Sequence, residues 1–404
     1  VVVKVCDMIM GGGKTQAAVT QMNTDSESKY IFITPYLKEV ERIKESCADR
    51  HFLEPMNHGE GKLEDLHALL SDACNIASTH ALFCAYTEET LRLIREGHYK
   101  LILDEELQVQ KQIPITKSDW DMLLNEKMIV INEDGAVKWL EGDYEGEFSA
   151  LKAMCETGNV TWYDNYLMVW TYPVEVFEAF EDVIILTYMF DGQFQKYYFD
   201  MNGVEVQKIG TEYVDGEYRF TERVTTPAYV RGLRDKIHIV QDRKLNEIGE
   251  AGGALSVSWY DRARRSPSQK NLKQLKKNLA NVFKNKFSSP TDKNLWTTFK
   301  DYKDILKGKG YTKGFLPFNV RATNAYRDRN CLAYCVNVFY NPVMKHYFEE
   351  HGVEVKEDDF ALSEMIQWIW RSAIRCGEEI WVYIPSKRMR MLLEGWLNEM
   401  ARLR

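Results

Sequence analysis

Three consecutive glycines, Gly11, Gly12 and Gly13, run directly into Lys14 and Thr15 near the start of the chain. An apolar run at residues 1–6 precedes them and reads as a buried strand; residues 16 to about 22 read as the start of a helix. This order constrains the fold strongly. Glycines let the backbone turn sharply and close its N–H groups around an anion, and a helix N-terminus adds positive potential there. A lysine at the next position reaches the outer phosphates of a nucleotide, and a threonine after it supplies a hydroxyl to Mg²⁺. Met10, Gly11, Gly12, Gly13, Lys14 and Thr15 are therefore ATP-binding candidates, with Thr15 also a metal ligand. The full phosphate-loop pattern has glycine five residues before Gly13, where this chain has Met8, and a ligand-free strand-to-helix turn has similar letters.

Over residues 1–107 strand and helix alternate. Strands are predicted at 1–6, 30–34, 75–78 and 99–103, and helices at 14–22, 37–46, 63–70 and 88–96. That is the rhythm of a parallel α/β sheet. Residues 108–180 break it with a hairpin turning at Asp134-Gly135 and an aromatic stretch holding Trp162, Tyr163, Tyr166 and Trp170; they read as an insertion. The sheet resumes at 183–187, and 197–225 read as short antiparallel strands. A second α/β stretch then shows strands at 254–259, 295–299, 315–320, 331–338 and 380–384, and helices at 268–287, 302–306, 343–350, 363–375 and 387–400. The expected organisation is a first lobe over 1–205, a β-rich connector over 206–250 and a second lobe over 251–404.

A chain of 404 residues with 45% hydrophobic and 28% charged content describes a globular protein with ample core. No apolar run reaches membrane-spanning length, so the expectation is a cytoplasmic protein with no membrane partner. The eight cysteines are scattered without a CxxC pair, which favours free thiols over disulfides or zinc. The net charge of −8 excludes a uniformly basic nucleic-acid coat. Yet residues 261–288 carry nine basic side chains and a single acid, either a phosphate-binding patch or a solvated helix face.

The strand at 99–103 ends in Asp104-Glu105-Glu106. Adjacent carboxylates at the C-terminal end of an apolar strand suit nucleotide hydrolysis: one helps hold Mg²⁺ and the other orients or deprotonates the attacking water. Asp104 takes the metal role and Glu105 the catalytic one.

With these residues in place the chain resembles the superfamily-two helicases and translocases, through short motifs in the family order. Residues 10–15 resemble motif I, 33–36 motif Ia, 77–80 the later nucleic-acid motif of the first lobe, and 104–107 motif II. Residues 186–189 stand where the family has Ser/Thr-Ala-Thr, with Tyr188 in the middle position; 295–299 are placed like motif IV. Arg321-Ala-Thr-Asn with Asp328 resembles motif V, and Gln367 to Arg375 resembles motif VI with Trp370 in place of glycine and the arginines four apart.

The resemblance implies two tandem RecA-like parallel-sheet lobes, an insertion in the first, and ATP and Mg²⁺ as substrate and cofactor. It implies catalytic roles for Glu105, Gln367 and an arginine finger, either Arg371 or Arg375, with Arg371 favoured by its distance from Gln367. It also places Asp328 near the nucleotide and makes Thr34, Thr79, Thr187, Arg321 and Thr323 the nucleic-acid contacts. The implied partner is single-stranded or forked DNA, with RNA open, alongside replication or recombination proteins. The style of the motifs is that of phage and mobile-element helicases. Two other readings share these residues: a terminase-like packaging ATPase, and a non-catalytic nucleic-acid-binding module with a degenerate nucleotide site.

Overall fold

The computed structural model describes residues 2–59, 61–133, 135–140, 142–163, 167–320 and 325–402. The chain forms two compact units. The first comprises Val1–Asp7, Lys14–Glu222 and Asn341–Val355; the second comprises Met8–Gly13, Arg223–Tyr340 and Lys356–Arg404.

The first unit is built on strands β1 (Val2–Asp7), β2 (Lys29–Thr34), β3 (Ile76–Thr79) and β4 (Tyr99–Asp104). After β4 come β5 (Gln110–Ile113), β6 (Ile129–Ile131), β7 (Val137–Trp139), β8 (Val160–Tyr163) and β9 (Leu167–Thr171). The chain then returns through β10 (Asp182–Thr187), β11 (Glu205–Val214) and β12 (Glu217–Thr221). Seven of these make one sheet in the order β12-β11-β1-β10-β4-β2-β3, parallel throughout except for the β11–β12 hairpin. The central strands are apolar on both faces, as a sheet covered by helices requires. Val3, Val5, Ile31, Ile33, Leu101, Leu103, Val183 and Ile185 lie in the main core of this unit. Among the crossover helices, Glu88–Gly97 begins at a capping box in which Thr87 accepts the Thr90 N–H.

The insertion is a small domain in its own right: a three-stranded antiparallel sheet β5-β9-β8 beside the β6–β7 hairpin. Its core gathers Ile113, Trp120, Leu123, Val137, Val160 and Met168, and the Trp120 and Trp162 rings stack at 3.8 Å. Asp134 and Tyr166 lie outside the described residues.

The stretch expected as short strands from 197 begins instead as a helix, Phe194–Met201. Its aromatics favour strands by propensity, but burial of Tyr197, Tyr198 and Phe199 together decides for the helix. β11 then runs parallel to β1, and only its partner β12 is antiparallel, across the Asp215-Gly216 turn where both residues have positive φ.

The second unit carries β13 (Ile237–Ile239), β14 (Asn294–Thr297), β15 (Cys331–Tyr334) and β16 (Ile380–Tyr383) in one parallel sheet, order β13-β16-β15-β14. Helices Val257–Arg265 and Lys270–Asn281 share a core with Trp296, Ala333 and Tyr383 on one face. Side chains alternate across a strand, so Tyr334 points the other way, where it meets Trp368 of helix Glu357–Ile369.

Several local expectations are corrected by this unit. The run at 254–259 is not a strand: Ser256 accepts the Trp259 N–H and starts a helix at Val257. The basic helix expected over 268–287 runs from Lys270 to Asn281 and continues as a π turn, Val282–Lys286. Residues 315–320 contribute only a bridge from Phe315 to Trp296. The strand expected over 331–338 stops at Tyr334. The helix expected over 363–375 starts at Glu357 and stops at Ile369, and Ala373–Cys376 is a separate 3₁₀ turn. β13, only three residues long, has no counterpart among the predicted strands.

Candidate nucleotide site

In the first unit the parallel register brings the sequence-predicted residues to one edge. Asp7 pairs with Thr187, Leu186 with Asp104, and Thr34 with Thr79, so Asp7, Thr34, Thr79, Asp104 and Thr187 end their strands together at the C-terminal edge of the sheet. Ligands of open parallel sheets bind outside that edge.

Asp104 is half-buried, and burial together with the neighbouring Glu105 and Glu39 carboxylates pushes its pKa up, against the pull of Lys14 and Arg42. Thr34 is fully buried and its hydroxyl donates to Asp104 Oδ2 at 3.5 Å. The backbone carbonyl of Asp104 accepts from His80 Nε2 at 3.0 Å, and burial pulls the His80 pKa down. Thr34 thus holds the acid from the side, a role the sequence did not suggest for it. Thr79 stands at the N-cap of the short helix His80–Phe83 without a side-chain cap bond.

Glu105 directly follows Asp104 at this edge. Its φ is +66°, a left-handed conformation uncommon outside glycine, and its N–H donates to the Leu186 carbonyl at 2.9 Å. Such strain is retained where the surroundings over-determine it, which is common at reacting centres.

Lys14 opens the helix Lys14–Thr24, with Thr15 beside it in the first turn. Burial pulls the Lys14 pKa down, while Glu105, Cys6, Asp104 and Asp7 draw it back up. Asp7, not singled out from the sequence, accepts the backbone N–H of Met189 at 2.6 Å and of Phe190 at 3.3 Å, and pairs with Lys208 at 3.3 Å. Its signal was available: an acid ending the strand just before the glycines. Thr187 is buried and bonded to the Gln193 amide at 2.8 Å.

In the second unit, Met8–Gly13 turns through Gly11 (φ +85°) and Gly13 (φ +82°), and the Gly12 N–H donates to the Ile9 carbonyl at 3.0 Å. A Cβ on Gly12 would lie 2.9 Å from that carbonyl oxygen, which explains the glycine there. The Tyr229 hydroxyl donates to the Met10 carbonyl at 2.7 Å. The Tyr229 ring lies 6.3 Å from that of Trp370, the residue before Arg371.

Arg371 follows the end of helix Glu357–Ile369 and is buried, its N–H donating to the Trp368 carbonyl at 3.0 Å. Gln367 is buried and donates to Ser363 Oγ at 3.1 Å. Arg375 is exposed and sits in the 3₁₀ turn, so the two arginines do not lie on one helix, as the expected helix over 363–375 would have placed them. Asp328 is exposed beside Lys293, whose ammonium donates to the Asp328 carbonyl at 3.1 Å. Arg321 and Thr323 lie outside the described residues. Asp358 is paired with Arg388 at 2.7 Å. The eight cysteines are free thiols, and no helix among the described residues is long and apolar enough to cross a membrane.

Against known structures, the chain superposes on XPD_APO with a TM-score of 0.51 and 11% identity, over 97% of this chain and 95% of that one. XPD_Helicase gives a TM-score of 0.42 and 9% identity, over 98% and 95% respectively. The first likeness agrees with the α/β fold of two RecA-like lobes and an insertion in the first. Family models for the YonV middle domain and the YonV C-terminal Rossmann-like domain match residues 110–170 and 231–397. The SPbeta prophage-derived uncharacterized protein YonV of Bacillus subtilis (strain 168) is 44% identical over 411 residues, covering 98% of each chain. An alignment of that length and identity shows that this chain belongs to the YonV family.

Proposed function

We propose that the chain is an ATP-dependent nucleic-acid helicase or translocase that works on the DNA of a phage or mobile element. The observation that carries the reading is the shared sheet edge: Asp104 ends β4 beside Asp7 and Thr187, the left-handed Glu105 follows it, and Lys14 is close enough to interact electrostatically with both acids. That set matches the chemistry of a nucleoside triphosphate with a divalent cation. The prophage origin of the 44% identical relative supports the mobile-element setting.

The residues fit Mg²⁺. Asp104 is a carboxylate whose charge is disfavoured by burial and by like-charged neighbours, which a cation would relieve, and Thr15 adds a hydroxyl oxygen. Asp104 and Thr15 would hold the ion; when bound it neutralises charge on the phosphate oxygens. Lys14 and the N–H groups of Met10, Gly11 and Gly13 are the groups we assign to the phosphates, the Gly12 N–H being held by the Ile9 carbonyl. Glu105 orients and deprotonates the attacking water. On the resemblance of residues 367–375 to motif VI alone, we assign Gln367 to positioning water and Arg371 to the charge developing on the transferred phosphoryl group. Thr34 and His80 act through Asp104, which they hold in place. Of the five expected strand contacts, Thr79, Arg321 and Thr323 stay proposed, while Thr34 and Thr187, both buried, support the edge from within; DNA is the proposed polymer, and replication or recombination proteins the proposed partners.

Measuring ATP hydrolysis by the wild type and by Lys14→Ala tests this reading. Turnover is expected in the wild type and is expected to vanish in the variant. Equal turnover in both would place the nucleotide elsewhere.

A further inference from the structure

The helices Val257–Arg265 and Lys270–Asn281 cover one face of the second unit's sheet, and their outer side is cationic. Helix Lys270–Asn281 buries Leu272, Leu275 and Leu279. At about 100° per residue, Lys270, Lys273 and Lys277 fall within about 60° of one another on the opposite side. Lys276 flanks them, and Arg262 and Arg265 lie on the neighbouring helix.

These six side chains carry no ion pair among the described residues, whereas Arg264 and Lys286 are held by Asp261 and Asp242. The lysine helix contains no acid at all. A merely solvated face would interleave Glu with Lys, because like charges three and four apart destabilise a helix. Lys270 and Lys273 moreover occupy the N-terminal turn, where the helix dipole is unfavourable to cations. The arrangement is electrostatically costly by itself, inside a chain of net charge −8.

We infer that this face is a duplex-DNA docking surface that tracks the phosphate backbone. It rests on the motor reading but is a separate site. Helix Glu357–Ile369, which leads to Arg371, covers the opposite face of the same sheet. Duplex is favoured over single strand by what the lysine helix lacks: it bears no aromatic residue, and sequence-tolerant single-strand binding stacks bases on aromatic rings. Backbone contacts by cations alone suit a duplex read without sequence preference.

The test is binding of fluorescent duplex and single-stranded oligonucleotides by wild type and by K270A/K273A/K276A/K277A, over a salt series. Alanine preserves the helix. For the duplex, the slope of log affinity against log salt is expected to become shallower by between about 2 and 4 in the variant, with affinity at least about tenfold weaker. Hydrolysis of ATP without DNA should be unchanged. A variant matching a DNA-binding wild type in slope and affinity overturns the surface alone. Loss confined to the single strand overturns the duplex assignment. A wild type that binds no nucleic acid overturns both the surface and the motor reading.

Discussion

The carboxylate of Asp7 accepts the backbone N–H of Met189 at 2.6 Å, tying the end of β1 to the loop that follows Thr187. Met189 is itself left-handed, with φ +58°. One side chain thus links the strand that leads into the glycines to the loop that follows β10. Asp7→Ala leaves the Met189 and Phe190 N–H groups without their acceptor and is expected to lower unfolding stability by about 1–3 kcal/mol. Urea denaturation checks the stability, and phosphate release checks an accompanying loss of turnover. Asp7→Glu, which keeps the charge, should recover stability in part.

Glu105 holds a φ of +66° that glycine adopts freely. Glu105→Gly should therefore preserve stability or raise it by up to about 1 kcal/mol while removing hydrolysis. Glu105→Gln should bind nucleotide and lose turnover by about 10²–10⁴-fold. Thermal unfolding and single-turnover hydrolysis measured on the same preparations separate the two effects.

The two arginines after Gln367 differ in burial, and so should their variants. Arg371→Ala is expected to cut turnover by about 10³-fold or more while nucleotide affinity changes little. Arg375, exposed in its 3₁₀ turn, should tolerate alanine within about 0.5 kcal/mol of stability and with turnover nearly intact. The reverse pattern would move the finger to Arg375.

Asp25 gives a pH dependence separate from the site. Burial pushes its carboxyl up, but Lys100 Nζ at 2.9 Å, the Ser28 N–H at 3.2 Å and the Tyr30 hydroxyl at 2.8 Å outweigh that and hold it well below the usual carboxylate range. A folded-state pKa below the unfolded one contributes stability above the unfolded value, lost as pH falls through it toward the folded value. Asp25→Asn should cost about 1–3 kcal/mol near neutrality. The gap to wild type should close below about pH 4, read from denaturant midpoints across pH.

Much of the first unit was legible because its strands are short apolar runs bounded by turns and its helices carry clear periodicity. β2, β4 and the helix Leu37–Ser46 fall where the pattern places them. The second unit was less legible. Ser256 caps a helix where β-prone residues suggested a strand, and the turn after Ile369 interrupts a periodicity that continues on paper to Arg375. At the site, the types and order of Lys14, Thr15, Asp104 and Glu105 were readable, since one strand-to-loop step delivers each. The roles of Asp7, Thr34 and Tyr229 depend on register between distant strands and on contacts far apart in sequence, which no local pattern encodes.

The most direct test of the motor is phosphate release by wild type and Lys14→Ala, each with no polymer, single-stranded DNA, forked DNA, duplex DNA or RNA. Hydrolysis by the wild type is expected to rise severalfold with at least one DNA form, and none above background is expected from Lys14→Ala under any condition. Hydrolysis indifferent to every polymer, or surviving the loss of Lys14, would contradict the motor reading.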